Sequence, residues 1–198
     1  FEDIYKDFTC PFYLCLGNHD YGNSHYIDDR WKHQIDYTQH SQKWNMPARY
    51  YHKAFGMIDF FFLDTNFEWM SDRVIEKQYR DIVDMIKKTK GRYKILCGHH
   101  TWRSIGGHGN ADKKFEDFMQ RLLNHSDFDI DAYLCGHDHC KNHHIVTLPK
   151  KKKVVHAIVI GTGGQPYHPE EKYLHNLIED TTLQFHSPNL GYMIWSYN

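Results

Sequence analysis

AYLCGHDH, residues 132–139, is a short apolar run that stops at a glycine and then presents two imidazoles either side of a carboxylate. That is a poor set of residues for packing and a good one for binding. The same shape occurs twice earlier, in YKILCGHH at 93–100 and in FYLCLGNHD at 12–20. In open α/β sheets, ligands sit beyond the carboxyl ends of the strands, where loops gather over a rigid edge. Three such strand ends can converge although they are far apart in sequence. Gly17, Gly98 and Gly136 are expected to let the backbone turn sharply and aim the next side chain over that edge.

The rest of the chain alternates around these ends. A strand is expected at about 11–16, then a long polar loop, 17–48. RYYHKAFG leads into MIDFFFLDT at 57–65 as a hairpin entering a buried strand. Asp72 opens a helix at about 73–90, with Val74, Ile75, Tyr79, Ile82, Val83 and Ile86 at helical spacing and Gly91 as its stop. A strand at 93–98, a glycine-rich loop, a helix at about 112–124 and a strand at 132–136 follow. HHIVTL and VVHAIVIGTGG then form a hairpin around Pro149 to Lys153, whose lysines read as solvated, and GYMIWSY is a last strand. The order indicates an α/β fold whose mainly parallel sheet gives way to antiparallel strands.

Composition narrows the function classes. Basic and acidic residues, 24 and 25, leave a formal charge of -1, so no global field favours nucleic acid or an anionic membrane. No apolar stretch approaches the roughly 20 residues that span a bilayer. The five cysteines form no CxxC pair and no even disulfide set, and Cys15, Cys97 and Cys135 read as buried free thiols. Seventeen histidines are the outlier, and imidazole is the commonest metal ligand. Asn18, His99, His137 and His139 together offer an amide oxygen and three imidazoles, a donor set suited to zinc, iron or manganese and poorly to calcium. In GHDH, two ligands one residue apart can reach different ions, which argues for a metal pair able to activate hydroxide and neutralise charge at phosphorus.

As a set, GNHD at 17–20, GHH at 98–100 and GHDH at 136–139 resemble the calcineurin-like metallophosphoesterases. WNMPARYY at 44–51, FLDT at 62–65, CGHHTWRSIGGHG at 97–109 and GTGG at 161–164 are similar to the small, tartrate-resistant type of purple acid phosphatase. The resemblance implies a metallophosphoesterase-type α/β sandwich, mixed sheets flanked by helices, and two metal ions, iron with iron, zinc or manganese. It implies that Asn18, His99 and His137 bind one ion and His139 the other. His19 would face the substrate phosphate and His108 would help protonate the leaving alcohol, while His100, where the family often carries an aromatic residue, departs from the pattern and is expected to add an imidazole beside the substrate. Asp20 and Asp138 would order loops or support the ligands. A secretory, lysosomal or extracellular location follows from the resemblance alone.

The chain also departs from the family's pattern. The Asp-x-Gly and Gly-Asp-Asn-x-Tyr strand ends that precede GNHD in the family are not in residues 1–16, and Asp3 and Asp7 are not followed by the required residues. Residues 1–198 are therefore expected to form one phosphoesterase domain, incomplete at its amino terminus, with the bridging carboxylate absent, and to be poorly active or inactive by themselves even if the whole protein is an acid-phosphatase-like enzyme. The first functional expectation is hydrolysis of small-molecule or protein phosphate monoesters by metal-bound hydroxide. The second is a catalytically inactive pseudo-phosphatase that serves as a binding or anchoring module. A structural zinc module, which needs a closed four-ligand site, fits poorly with the surplus His19, His100 and His108.

Overall fold

The structure is a computed structural model and describes residues 1–22, 29–164 and 177–194. One interior strand of its main sheet is β4 (Ile58–Phe62), whose sequence IDFFF is buried on both faces apart from a partly exposed Phe60. Such a run suits an interior strand of a parallel sheet. β4 pairs in parallel with β5 (Tyr93–Cys97), β5 with β6 (Ala132–Cys135) and β6 with β8 (Lys153–Ile160). β3 (Tyr51–Phe55) closes one side antiparallel to β4. β7 (Lys141–Leu148) and β9 (Thr181–Ser187) extend the other side, giving the seven-stranded order β3-β4-β5-β6-β8-β7-β9. The expected parallel sheet with antiparallel margins is the one observed.

Two helices cover one face. α2 (Asp72–Lys88) buries Ile75, Gln78, Ile82, Val83 and Ile86, and α3 (Lys113–Leu123) buries Phe115, Phe118, Met119, Leu122 and Leu123, each a stripe at helical spacing. The stripes pack on Phe61, Leu63, Leu96, Tyr133, Val155 and Val159 with Trp102 in the same core. Removing a side chain of this size from water stabilises by about 1.5–3 kcal/mol. Asp112 caps α3, accepting the Phe115 N–H at 2.8 Å. α2 ends at Lys88, before the expected position, and Gly91 does not cap it. Gly91 instead makes room for Asp59, because a Cβ there would lie 2.3 Å from Asp59 Oδ2.

Several expectations need correction. The strand at 11–16 shortens to β1 (Phe12–Tyr13), which pairs in parallel with β2 (Trp44–Asn45) in a separate two-stranded sheet. Segment 12–16 meets the main sheet through Tyr51, whose Oη accepts Leu14 N–H at 2.9 Å and lies 2.8 Å from Leu14 O. The Tyr51 ring stacks on Phe62. The described part of the loop 17–48 holds a 3-10 turn at Asn18–Tyr21, α1 (Trp31–Asp36) and β2. Its apolar residues Tyr21, Trp31, Ile35 and Trp44 form a small core with Leu16 and Met46. In GYMIWSY, residues 191–194 are not strand, and 195–197 lie outside the described residues. The outer strand is β9, whose threonine and glutamine content gave no apolar signal. The lysine hairpin is only partly solvated: Lys151 reaches the Phe128 carbonyl, and Lys151 and Lys153 both pair with Asp129.

A buried carboxylate joins the small core to the sheet. Asp64, fully buried just after β4, accepts from Tyr21 Oη and from Arg49 Nε at 2.9 Å, while Arg49 Nη2 donates to Tyr21 Oη at 2.8 Å. Asp64 Oδ1 takes Asn66 Nδ2 at 2.9 Å, and Gln78 pairs with both backbone groups of Asp64 at 2.9 Å. Burial and the Asp64 charge push the Tyr21 phenol far above its ordinary range. Asp64→Ala would leave Arg49, Tyr21 and Asn66 without their acceptor. We expect it to destabilise the fold by about 3 kcal/mol or more, measured by urea unfolding. A loss below about 1 kcal/mol would mean that the network contributes little.

His144, 1% exposed on β7, has its Nε2 2.8 Å from Asn142 Oδ1. Burial, then His143, Arg103 and His186, push its pKa from 6.5 down to about 4. Between these values the unfolded chain binds a proton that the folded chain refuses, so this contribution is complete above about pH 6.5 and disappears as pH falls towards 4. Urea midpoints should therefore fall on acidification in the unsubstituted protein, and fall less in His144→Gln. Parallel slopes for the two proteins would contradict this.

Candidate metal centre

The three glycine-bounded strand ends do meet. His99 follows β5, and its Nε2 lies 2.9 Å from Asn18 Oδ1. His137 follows β6, and its Nδ1 lies 3.0 Å from the same His99 Nε2. The His137 ring is 4.6 Å from that of His100 and 4.0 Å from that of His108. His19 and His139, both exposed, lie close enough to act on the charge of His99 and His137.

The backbone reaches this arrangement differently from the expectation. Gly17 has φ -90°, outside the left-handed region, and a Cβ there would sit 3.2 Å from the His99 ring. At Gly98 a Cβ would be 2.6 Å from both Thr65 Cγ2 and Tyr133 Oη. These two glycines serve close packing and not a turn. A Cβ at Gly136 would meet nothing, and the left-handed residue is His137 itself, at φ 63°. A non-glycine residue there carries strain of about 1–3 kcal/mol, which the surroundings must hold in place.

Hydrogen bonds fix the frame. Asp20 Oδ2 accepts Gly17 N–H at 2.7 Å and closes the turn that carries Asn18 and His19. Burial is the main cause that raises the Asp20 pKa, against the Gly17 N–H. Asp138, fully buried, accepts Ser104 Oγ at 2.5 Å and His108 N–H at 2.8 Å, tying loop 104–109 to the loop after β6. A Cβ on Gly106 would strike that carboxyl at 2.4 Å, and one on Gly161 would lie 1.9 Å from Asp138 O. The residues that sequence reasoning left unassigned are Thr65 and Tyr133. Thr65 Oγ1 accepts His99 N–H at 3.2 Å and His100 N–H at 3.0 Å, and lies 3.0 Å from His100 Nδ1. Tyr133 Oη donates to His100 O at 2.5 Å. Thr65 was visible as the last letter of FLDT, whereas Tyr133 sits inside an apolar run and gave no signal.

Burial, followed by the neighbouring imidazoles, lowers His99 from 6.5 to about 4 and His100 to about 3. His137 falls to about 4 by burial, then His108. Neutral imidazoles keep the lone pairs that a metal requires. His99 Nε2 lies at hydrogen-bond distance from Asn18 Oδ1 and His137 Nδ1, close to the separation of about 3.0 Å that two donors at about 2.1 Å and at right angles about one cation would have. The second ion is not matched in this way. His139 is the one donor named for it, and among the described residues no group of three or more His, Cys, Asp or Glu side chains is arranged to hold either metal.

Residues 1–141 match the family model for calcineurin-like phosphoesterases, and the chain belongs to that family. It is 25% identical to purple acid phosphatase 17 of Arabidopsis thaliana over 98% of this chain and 59% of that protein. It is 28% identical to tartrate-resistant acid phosphatase type 5 of Sus scrofa, over 94% of this chain and 57% of that protein. The chain thus spans little more than half the length of these relatives. Its fold also matches GAP50, the anchor in the inner membrane complex of Plasmodium, with a TM-score of 0.64, 21% identity and coverage of 91% of this chain and 56% of that one.

Residues 1–198 alone should bind about one equivalent of zinc or manganese tightly, and His137→Ala should weaken that binding by about 100-fold or more. Metal analysis after dialysis and titration calorimetry check both. Two tightly held ions in this chain would show a donor set that the geometry does not reveal.

Proposed function

We propose that the protein hydrolyses phosphate monoesters at a centre for which Asn18, His99 and His137 supply the donors to one cation and His139 a donor to another. The reading is carried by the Asn18, His99 and His137 array, with His99 Nε2 at 2.9 and 3.0 Å from the other two donor atoms. Family membership and the phosphatase relatives support it. Bound metals, of the iron, zinc or manganese type, would activate water and offset the charge that develops at phosphorus.

The protein's own side chains divide the remaining work. His19, on the exposed side of the Asn18 turn, is free of the donor array and takes the substrate phosphate as a hydrogen-bond donor. His108, whose backbone N–H donates to Asp138 and whose ring lies 4.0 Å from that of His137, would give the leaving alkoxide its proton. His100, whose Nδ1 faces Thr65, forms the wall beside them. The fold likeness to an anchoring protein is the ground for a non-catalytic reading, but fold alone does not favour it over a retained donor array.

In the metal-loaded protein, His19→Ala should lower turnover of an aryl phosphate by about 100-fold with metal content unchanged. His108→Ala should slow alkyl phosphates more than activated aryl phosphates, because a general acid matters most when the departing oxygen is basic. Steady-state kinetics over a leaving-group series test both. Metal-loaded protein that releases no phosphate from any monoester would overturn the reading.

A further inference from the structure

A cavity of about 190 Å³ opens beside the donor array, with His100, His108 and His137 in its wall. The far side is formed by the turn at Phe67–Trp69, which carries Glu68, and by the start of α3, which carries Asp112. Resting on the phosphatase reading, we infer that this cavity seats the leaving alcohol of the ester and selects alcohols that carry an ammonium group.

Size and charge lead to the same class. A cavity of about 190 Å³ has room for several waters and therefore for a short amino alcohol. The buried Phe115 ring and Ala111 give it an apolar floor. Its carboxylates are Glu68 and Asp112, both exposed at its rim, and among the described residues its other titratable groups are His100, His108 and His137, with no lysine or arginine. The adjacent Lys113 and Lys114 pair away from it, with Asp117 at 2.8 Å and Asp72 at 3.3 Å. One Asp112 oxygen takes the Phe115 N–H, so the amino end of α3 offsets part of that charge. Glu68 has no ion-pair or hydrogen-bond partner among the described residues. A phosphate held at His19 and the donor array would direct its ester oxygen past His108 into this space. An ammonium there is attracted by Glu68, a neutral hydroxyl is indifferent, and a second anionic group is repelled.

The test uses three phosphate esters of nearly equal size: 2-aminoethyl, 2-hydroxyethyl and carboxymethyl phosphate. In the metal-loaded protein kcat/KM should fall in that order, with about fivefold between the first two, the scale of a partly exposed charge pair. Glu68→Gln should bring the first two within about twofold of each other. Equal rates for these two in the unsubstituted protein, or an undiminished gap in Glu68→Gln, overturn the proposal. A binding measurement stands apart from hydrolysis. By amide NMR, 2-aminoethanol should shift Ala111 and Phe115 in the unsubstituted protein, ethylene glycol should not, and Glu68→Gln should abolish the shift. If no ester is hydrolysed but this pattern holds, the phosphatase reading fails and the ammonium site stands. If esters are hydrolysed with no charge order, the ammonium site fails and the phosphatase reading stands.

Discussion

The buried carboxylate of Asp64 is the constraint on which the site depends. Asn18 and His19 do not belong to the main sheet, because β1 stops at Tyr13 and pairs elsewhere. Their turn is held over the sheet edge by Tyr21 and Arg49 converging on Asp64. Asn66 gives a second tie, one amide hydrogen to Asp64 Oδ1 and the other to Leu16 O at 3.4 Å. A buried anion tolerates no loss of donors, so the two layers lock in one relative position. That position sets the 2.9 Å separation between Asn18 and His99.

Around this lock the chain accepts features that cost stability. Histidines crowd at ring separations of 4.0–5.1 Å, His137 adopts a left-handed backbone, and glycines replace side chains where strand ends meet. Each is unfavourable on its own, and each is maintained by packing beneath it, with Trp102, Phe61 and Tyr133 fully buried under the loops. Strain that persists at one edge of a well-packed sheet is the mark of a site and not of a poor fold. Family membership gives that edge its chemical context.

The described residues are asymmetric in what they supply. In the proposed centre one cation would take the Asn18 amide oxygen and the His99 and His137 imidazoles, whose donor atoms lie 2.9 and 3.0 Å from His99 Nε2, while the other would take His139. The cavity beside them shares His137 with the proposed donors, while its carboxylates come from a 3-10 turn and a helix cap.

Much was legible in the sequence because local chemistry decided it. The apolar runs that end in Gly98-His99 and Gly136-His137 were read as interior strands ending at a polar edge and are β5 and β6, and the stripes of α2 and α3 are periodic enough to read directly. That pattern also suggested that Asn18, His99, His137 and His139 converge, whereas the division of these four between two ions came from the family resemblance. What the tertiary structure decided is what depends on distant partners. Phe12 to Leu16 has the composition of a main-sheet strand, yet Tyr51 holds it in a neighbouring layer. β9 is polar and becomes a strand because β7 offers it an open edge. Gly98 and Gly91 look like turn residues and are clearance for Tyr133 and Asp59. Thr65 and Glu68 carry no pattern of their own, since a hydroxyl or a carboxylate becomes part of a site only when folding brings a histidine or a cavity to it.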